Sequence, residues 1–220
     1  GRTAWIPHTI AMRTGHAAAH IYYNLFPAQG PFLVDLYSQT WSPKTVIKPI
    51  GMPTNDGIHL SSEELATAKV RNLVETLKGS YRIVGAFTGT YTRDEFVIER
   101  YCRFLRVLVT LTEHDYTLRV VLKPKARAER CSFLYEQPFH GILQKALREQ
   151  TIVILDPSDG YSCTAQYLIN ASQVVVSTGQ YAAFGSVWVE ALLLNKPSYV
   201  FAPEIFRFSP IAKRFFDRWF

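Results

Sequence analysis

From about residue 45 the chain alternates short β-branched runs with segments of helical periodicity, and this alternation constrains the fold more than any other feature. The runs are Thr45–Ile50, Tyr81–Phe87, Leu118–Leu122, Thr151–Leu155, Gln173–Val176 and Ser198–Phe201. Several, such as RIVGAF, TIVIL and QVVV, are apolar at nearly every position rather than at every second one. Strands that read this way are buried on both faces, which is the signature of a parallel sheet covered by helices. The expected class is therefore α/β, a doubly wound parallel sheet. Right-handed crossovers put every strand-to-helix loop at one edge of such a sheet, where open α/β folds bind ligands.

The helices between the strands are readable to different degrees. Ser61 and Glu64 form a capping-box pattern ahead of a stripe of Leu65, Val70, Leu73, Val74 and Leu77, with Gly79 as the stop. Further helices are expected over about 93–113, 141–149, 161–171, 184–194 and 209–219. Residues 1–44 do not share the alternation and read as the remnant of a preceding domain and the connection into this one, leaving 45–220 as one α/β domain. The chain starts on Gly1 rather than Met and ends on Trp219 and Phe220, as expected of a piece of a longer protein.

Composition narrows the chemistry. Hydrophobic residues at 48% against 19% charged give enough apolar surface for a core, which excludes a disordered chain. The net charge of +6 invites an anionic partner, but no run of five Lys or Arg appears, so phosphorylated small molecules fit better than nucleic acid. Cys102, Cys131 and Cys163 are too few and too scattered for a disulfide framework, and a reducing, cytoplasmic setting is expected. No apolar stretch approaches the ~20 residues of a membrane span. No GxGxxG, Walker loop, GxSxG elbow, kinase signature or RNA-binding aromatic motif appears.

Ser177–Pro197, STGQYAAFGSVWVEALLLNKP, is the most informative segment. A buried strand delivers the chain to a small polar loop containing Ser177, Thr178 and Gly179, and a helix begins near Gly185 and Ser186. The free N–H groups and positive dipole end of a helix start suit a diphosphate. Glu190, early in that helix and flanked by Val187, Trp188, Val189, Ala191 and Leu192, can accept hydrogen bonds from vicinal sugar hydroxyls. The plainer alternative is a capped helix with Glu190 on its wet side.

The letters Ser177-Thr178, Phe184-Gly185, Glu190-Ala191-Leu192 and Lys196-Pro197, followed by the strand SYVFA, resemble the C-terminal, donor-binding half of GT-B glycosyltransferases of the bacterial surface- and capsular-polysaccharide type. The resemblance implies a Rossmann-like donor domain, with the glutamate on the ribose of a nucleotide-sugar and the small-residue loop on its phosphates. Retaining members commonly carry a second glutamate eight positions before the first, where this chain has Ala182, and this points toward an inverting enzyme or an inactive relative. The resemblance also implies that 45–220 is the nucleotide-sugar-binding domain and 1–44 a remnant of the acceptor-side domain. The resemblance also implies no cofactor beyond the nucleotide-sugar substrate, and no metal.

Other segments fit the same scheme. Thr88-Gly89-Thr90 follows a strand and lies where such folds bring small residues to donor phosphates. Lys123, at the end of the next strand, can neutralise a phosphate, though Lys123-Pro124 lacks the His-Pro pair of related enzymes. Asp156–Gly160 could border a base pocket, and is equally an ordinary turn composition. His8 and His16 are candidates for the base that activates an acceptor hydroxyl. His16 and His20 have metal-ligand spacing, but Ala17 stands where HExxH has Glu and no third ligand is evident, so structural histidines are the main alternative. Residues 206–220 combine Arg207, Lys213, Arg214 and Arg218 with six aromatics and read as a docking helix or, more sharply, as a peripheral contact with the cytoplasmic membrane face.

The expected activity is transfer of a sugar from a nucleotide-sugar to a glycan or lipid-linked acceptor. A sugar-nucleotide epimerase of the same fold and a catalytically inactive scaffold domain are the alternatives.

Overall fold

The computed structural model describes residues 25–28, 46–49, 65–89, 93–125, 132–178 and 186–201. In chain order the elements are β1 (Leu25–Ala28), β2 (Val46–Pro49), α1 (Ala68–Lys78), β3 (Arg82–Phe87), α2 (Glu95–His114), β4 (Leu118–Lys123), α3 (Phe139–Arg148), β5 (Ile152–Ile154), α4 (Ala165–Ala171), β6 (Val174–Thr178), α5 (Ser186–Leu193) and β7 (Ser198–Phe201). Single 3₁₀ turns occupy Ser132–Tyr135 and Pro157–Asp159. The chain divides into two compact units.

One unit contains β1 and β2, a two-stranded parallel sheet whose register runs from Leu25 opposite Val46 to Ala28 opposite Pro49. The sequence predicts the second of these strands but places it in the main alternation, and it gives no sign of the first. A four-residue run interrupted by Pro27 is too short to show a period, so its pairing is invisible before folding.

The other unit is built on five parallel strands in the order β5-β4-β3-β6-β7. The chain enters at the centre on β3, moves outward through β4 to β5, then crosses back to β6 on the far side of β3 and continues to β7. This is the doubly wound, Rossmann-like arrangement that the sequence predicts. Ile83 and Phe87 of β3 pack with Val121 and Val175 beneath α1 (Val70, Val74, Leu77) and α4 (Leu168, Ile169, Ala171) in one buried cluster. Their sequence neighbours Val84, Ala86, Val120 and Leu122 point the other way and are also buried. That second face is covered by α2 and α3, which pack on each other through Phe104, Leu105, Leu108, Phe139 and Leu143. Both faces of the sheet are thus dry, which is why its strands read as continuous apolar runs.

Two helices start later than the sequence suggests, for one reason. Ala66 forms an isolated antiparallel bridge with Cys163, supported by Thr67 N–H to Ser162 O at 2.9 Å and Thr164 N–H to Leu65 O at 2.8 Å. These bonds hold both segments extended, so α1 begins at Ala68 and α4 at Ala165. Thr164 then caps α4 by accepting from Tyr167 N–H at 3.2 Å. The predicted Ser61/Glu64 capping box lies outside the described residues, as does the 209–219 helix. The helix α2 starts where expected, with the Asp94 carboxylate accepting from Phe96 N–H at 2.9 Å.

In the middle of β3, Gly85 answers a close approach rather than a turn. A Cβ there would stand 2.5 Å from Ser172 Oγ and 3.3 Å from Ser172 Cβ, so only glycine lets the end of α4 seat against the central strand. Ser172 is itself buried and donates its hydroxyl to Leu168 O at 2.6 Å.

Candidate functional site

The strand order reverses between β3 and β6, and the loops leaving those strands stand side by side at the carboxyl edge of the sheet. The register sets Lys123 of β4 beside Phe87 of β3, and Phe87 beside Ser177 of β6. With neighbouring strands ~4.8 Å apart, three of the sequence-predicted residue groups share an edge roughly 10 Å wide. This is the position at which open α/β sheets take ligands.

The loop after β3 is fixed from three sides. Thr88 N–H donates to Lys123 O at 3.3 Å, and Lys125 N–H donates to Thr88 Oγ1 at 3.0 Å, tying the loop to the end of β4. Gly89 N–H donates to Thr178 Oγ1 at 2.6 Å, tying it to the end of β6. The hydroxyl of Tyr101, on α2, donates to Gly89 O at 2.5 Å. Thr88 and Thr178 are buried at 5% and 7% exposure, and both hydroxyl oxygens accept from loop amides within the fold. The strand β6 also runs through Ser177 and Thr178, which the sequence places in a loop; pairing of Thr178 with Phe201 of β7 extends it.

Lys123 is half-buried at the end of β4. Its charge reaches Cys163: burial pushes that thiol above its ordinary range, and Lys123 pulls in the opposite direction. Asp156, which follows β5, serves as the turn residue that its composition suggested. It is buried, and its Oδ1 accepts from Ser158 N–H at 2.8 Å and from the Ser158 hydroxyl at 2.6 Å. Gly160 closes that turn in the left-handed region at φ 78°.

The helix α5 begins at Ser186, as predicted, and Glu190 lies one turn inside it. Glu190 is only 7% exposed, beside the core residues Trp188 and Ala191. The wet-side alternative for this carboxylate is therefore incorrect. A charge is rarely buried to this degree in a solvated surface helix.

Lys196, part of the family-like lettering, has a structural task. Its Nζ donates to Asn170 O and Ser172 O, each at 2.9 Å, and so satisfies carbonyls at the end of α4. Burial, and then the charge of Lys78, lower its pKa. The end of α4 precedes β6, so Lys196 stands at the amino edge of the sheet, opposite the candidate site. His8, His16, Thr90, Gly179 and Gly185 lie outside the described residues. Tyr101 escaped sequence reasoning, because it occupies the same apolar stripe of α2 as Val97, Phe104, Leu105 and Leu108. Its only signal is that a buried tyrosine hydroxyl usually has a partner.

Among the described residues no group of three or more His, Cys, Asp or Glu is arranged to hold a metal, and no helix is long and apolar enough to cross a membrane.

No family description and no curated protein matches the sequence. Solved structures do. The S. aureus protein MnaA, determined with UDP, superposes with a TM-score of 0.50 at 14% identity, covering 81% of this chain and 43% of that one. The wall teichoic acid polymerase TagF matches with a TM-score of 0.47 at 15% identity over 86% of this chain and 41% of its own. A UDP-forming α,α-trehalose-phosphate synthase from Burkholderia xenovorans, in complex with glucose-6-phosphate, matches at 0.49 and 13% identity over 87% of this chain and 48% of its own. The chain thus spans less than half the length of each. At 14% identity the match to MnaA is one of fold, and it agrees with the doubly wound parallel sheet derived above from strand order alone.

Proposed function

We propose that the chain supplies the donor-binding half of a GT-B glycosyltransferase, which moves a sugar from a nucleotide-sugar to a glycan or lipid-linked acceptor in surface-polysaccharide synthesis. The observation that carries this reading is the convergence of Thr88, Gly89 and Thr178 where the strand order reverses, through the 2.6 Å bond from Gly89 to Thr178. Lys123 on the adjacent strand and the buried Glu190 on the helix after β6 add a cation and a carboxylate to the same scheme. A ligand with phosphates and vicinal hydroxyls matches that pairing. UDP bound to MnaA, a protein of like fold, supports a nucleotide as the occupant.

In this reading the loop residues Thr88, Gly89, Ser177, Thr178 and Gly179 and the helix start at Gly185 and Ser186 hold the diphosphate, while Glu190 accepts from the ribose hydroxyls. Lys123 and the helix dipole stabilise the leaving diphosphate as its bond to the anomeric carbon breaks. A histidine, His8 or His16, takes the proton of the acceptor hydroxyl whose oxygen attacks that carbon, so the anomeric configuration inverts. Fixed dipoles and Lys123 carry the charge in this scheme without a metal. Residues 206–220 are assigned to a peripheral membrane contact near a lipid-linked acceptor.

Calorimetric titration with UDP, CDP, GDP and their sugars tests the reading. Binding by one nucleotide series, weakened about tenfold by Glu190→Gln through loss of a charge-assisted hydrogen bond, is the expected result. A folded protein that binds no nucleotide at millimolar concentration overturns it. Product analysis with a nucleotide-sugar, with and without acceptor, then separates transfer from epimerisation and from binding alone.

A further inference from the structure

Two consecutive peptide groups flank Gly89, and each is held by a different element. Its N–H is bound by Thr178 Oγ1 of β6 at 2.6 Å, and its carbonyl oxygen by the Tyr101 hydroxyl of α2 at 2.5 Å. A peptide is a dipole of ~3.5 D with its negative end at the carbonyl oxygen. Left unbonded in a small-residue loop, that oxygen could turn toward the crevice, where it would repel an anion. Bonded to Tyr101, it is committed to the α2 side.

The tyrosine is well placed to hold this orientation. Tyr101 is 1% exposed. Its ring packs edge-on against Phe133 at 5.7 Å and against Phe139 at 6.2 Å, and those two rings pack edge-on against each other at 5.5 Å. Phe133 belongs to the 3₁₀ turn at Ser132–Tyr135 and Phe139 opens α3. A three-ring cluster therefore sets the position of one hydroxyl, and that hydroxyl sets the direction of one backbone carbonyl at the ligand edge. A buried core position would accept phenylalanine equally well for packing; the hydroxyl is what the Gly89 carbonyl requires.

We propose that Tyr101 is a positioning residue for diphosphate recognition: it holds the Gly89 carbonyl oxygen toward α2, so that the negative end of that peptide dipole does not face a phosphate at the carboxyl edge of the sheet. This rests on the donor-site reading above, and assigns the phosphate selectivity of that site to a residue that does not touch the ligand.

The test is Tyr101→Phe, which keeps the ring cluster and removes one oxygen. Calorimetry with UDP and with uridine, on wild type and variant, reads the phosphate contribution separately from the nucleoside contribution. The expected result is a loss of about tenfold for UDP, the size of one hydrogen bond, with uridine affinity unchanged. UDP affinity equal in the two proteins overturns the proposal and leaves the donor reading standing, as does an equal loss for UDP and uridine. Wild-type protein that binds neither UDP nor uridine overturns both. A second variant, Phe133→Leu, loosens the ring cluster that sets Tyr101 while keeping its hydroxyl, and is expected to weaken UDP binding and leave uridine binding unchanged. UDP affinity that is unchanged in a folded Phe133→Leu protein overturns the proposal even where Tyr101→Phe fails to fold.

Discussion

The Gly89 amide donates to the Thr178 hydroxyl at 2.6 Å, and this bond joins the ends of two adjacent strands that lie 89 residues apart in sequence. Thr178→Val keeps the shape of the side chain and removes the acceptor, leaving a part-buried N–H unsatisfied. The expected cost is about 1–3 kcal/mol in urea unfolding, together with weaker nucleotide binding. Thr178→Ser, which keeps the oxygen, should recover most of both.

Gly85→Ala should destabilise by about 1–3 kcal/mol, because its new methyl meets Ser172 Oγ at 2.5 Å in a dry, close-packed layer. Adding Ser172→Ala removes that oxygen and leaves the 3.3 Å approach to the Ser172 Cβ and the 3.4 Å contact with the Phe87 ring. The double variant should therefore lose less than the sum of the singles in a thermodynamic cycle. Strict additivity would refute the contact as the cause.

Lys196→Met removes two donors from the end of α4 and should cost about 1 kcal/mol at neutral pH by chemical denaturation. The alkaline side moves the other way. The folded chain binds the Lys196 proton less tightly than the unfolded chain, so stability rises with pH between its lowered value and the ordinary 10.5. The variant should lose that rise, and denaturant midpoints measured across the alkaline range would show it.

Asp115 gives the acid limb. Its carboxylate is held below its usual range first by the Thr117 hydroxyl, then by the Thr117 N–H and the Arg82 guanidinium. A depressed folded value contributes stability that is complete above the ordinary 3.8 and disappears as pH falls through the folded value. Asp115→Asn should therefore flatten the loss of stability below about pH 4, while lowering stability slightly at neutral pH.

The class of fold was legible because a sheet covered on both faces leaves no polar position to interrupt runs such as RIVGAF and QVVV. Loop residues of the candidate site were legible for a related reason: small polar residues directly after such runs fall at one edge. The starts of α1 and α4 were not, since they depend on the Ala66–Cys163 bridge and on Thr67 Oγ1 donating to Gly160 O, a partner 93 residues away. Local propensity carries no trace of such a partner. Tyr101 is hidden differently, by looking like one more apolar residue on α2, and the task of Lys196 depends on carbonyls 26 and 24 residues away in the chain.

The seam between β3 and β6 has a consequence for the order in which the molecule assembles. The pairs β3–β4, β4–β5 and β6–β7 each join neighbours in the chain, whereas β3–β6 waits for the return crossover. Pairing residues distant in the chain costs more loop-closure entropy than pairing neighbours. The carboxyl edge at Gly89 and Thr178 is therefore complete only when this long-range pairing is made. A molecule that occupies this edge would recognise only finished protein, and would protect it against reopening along the same seam.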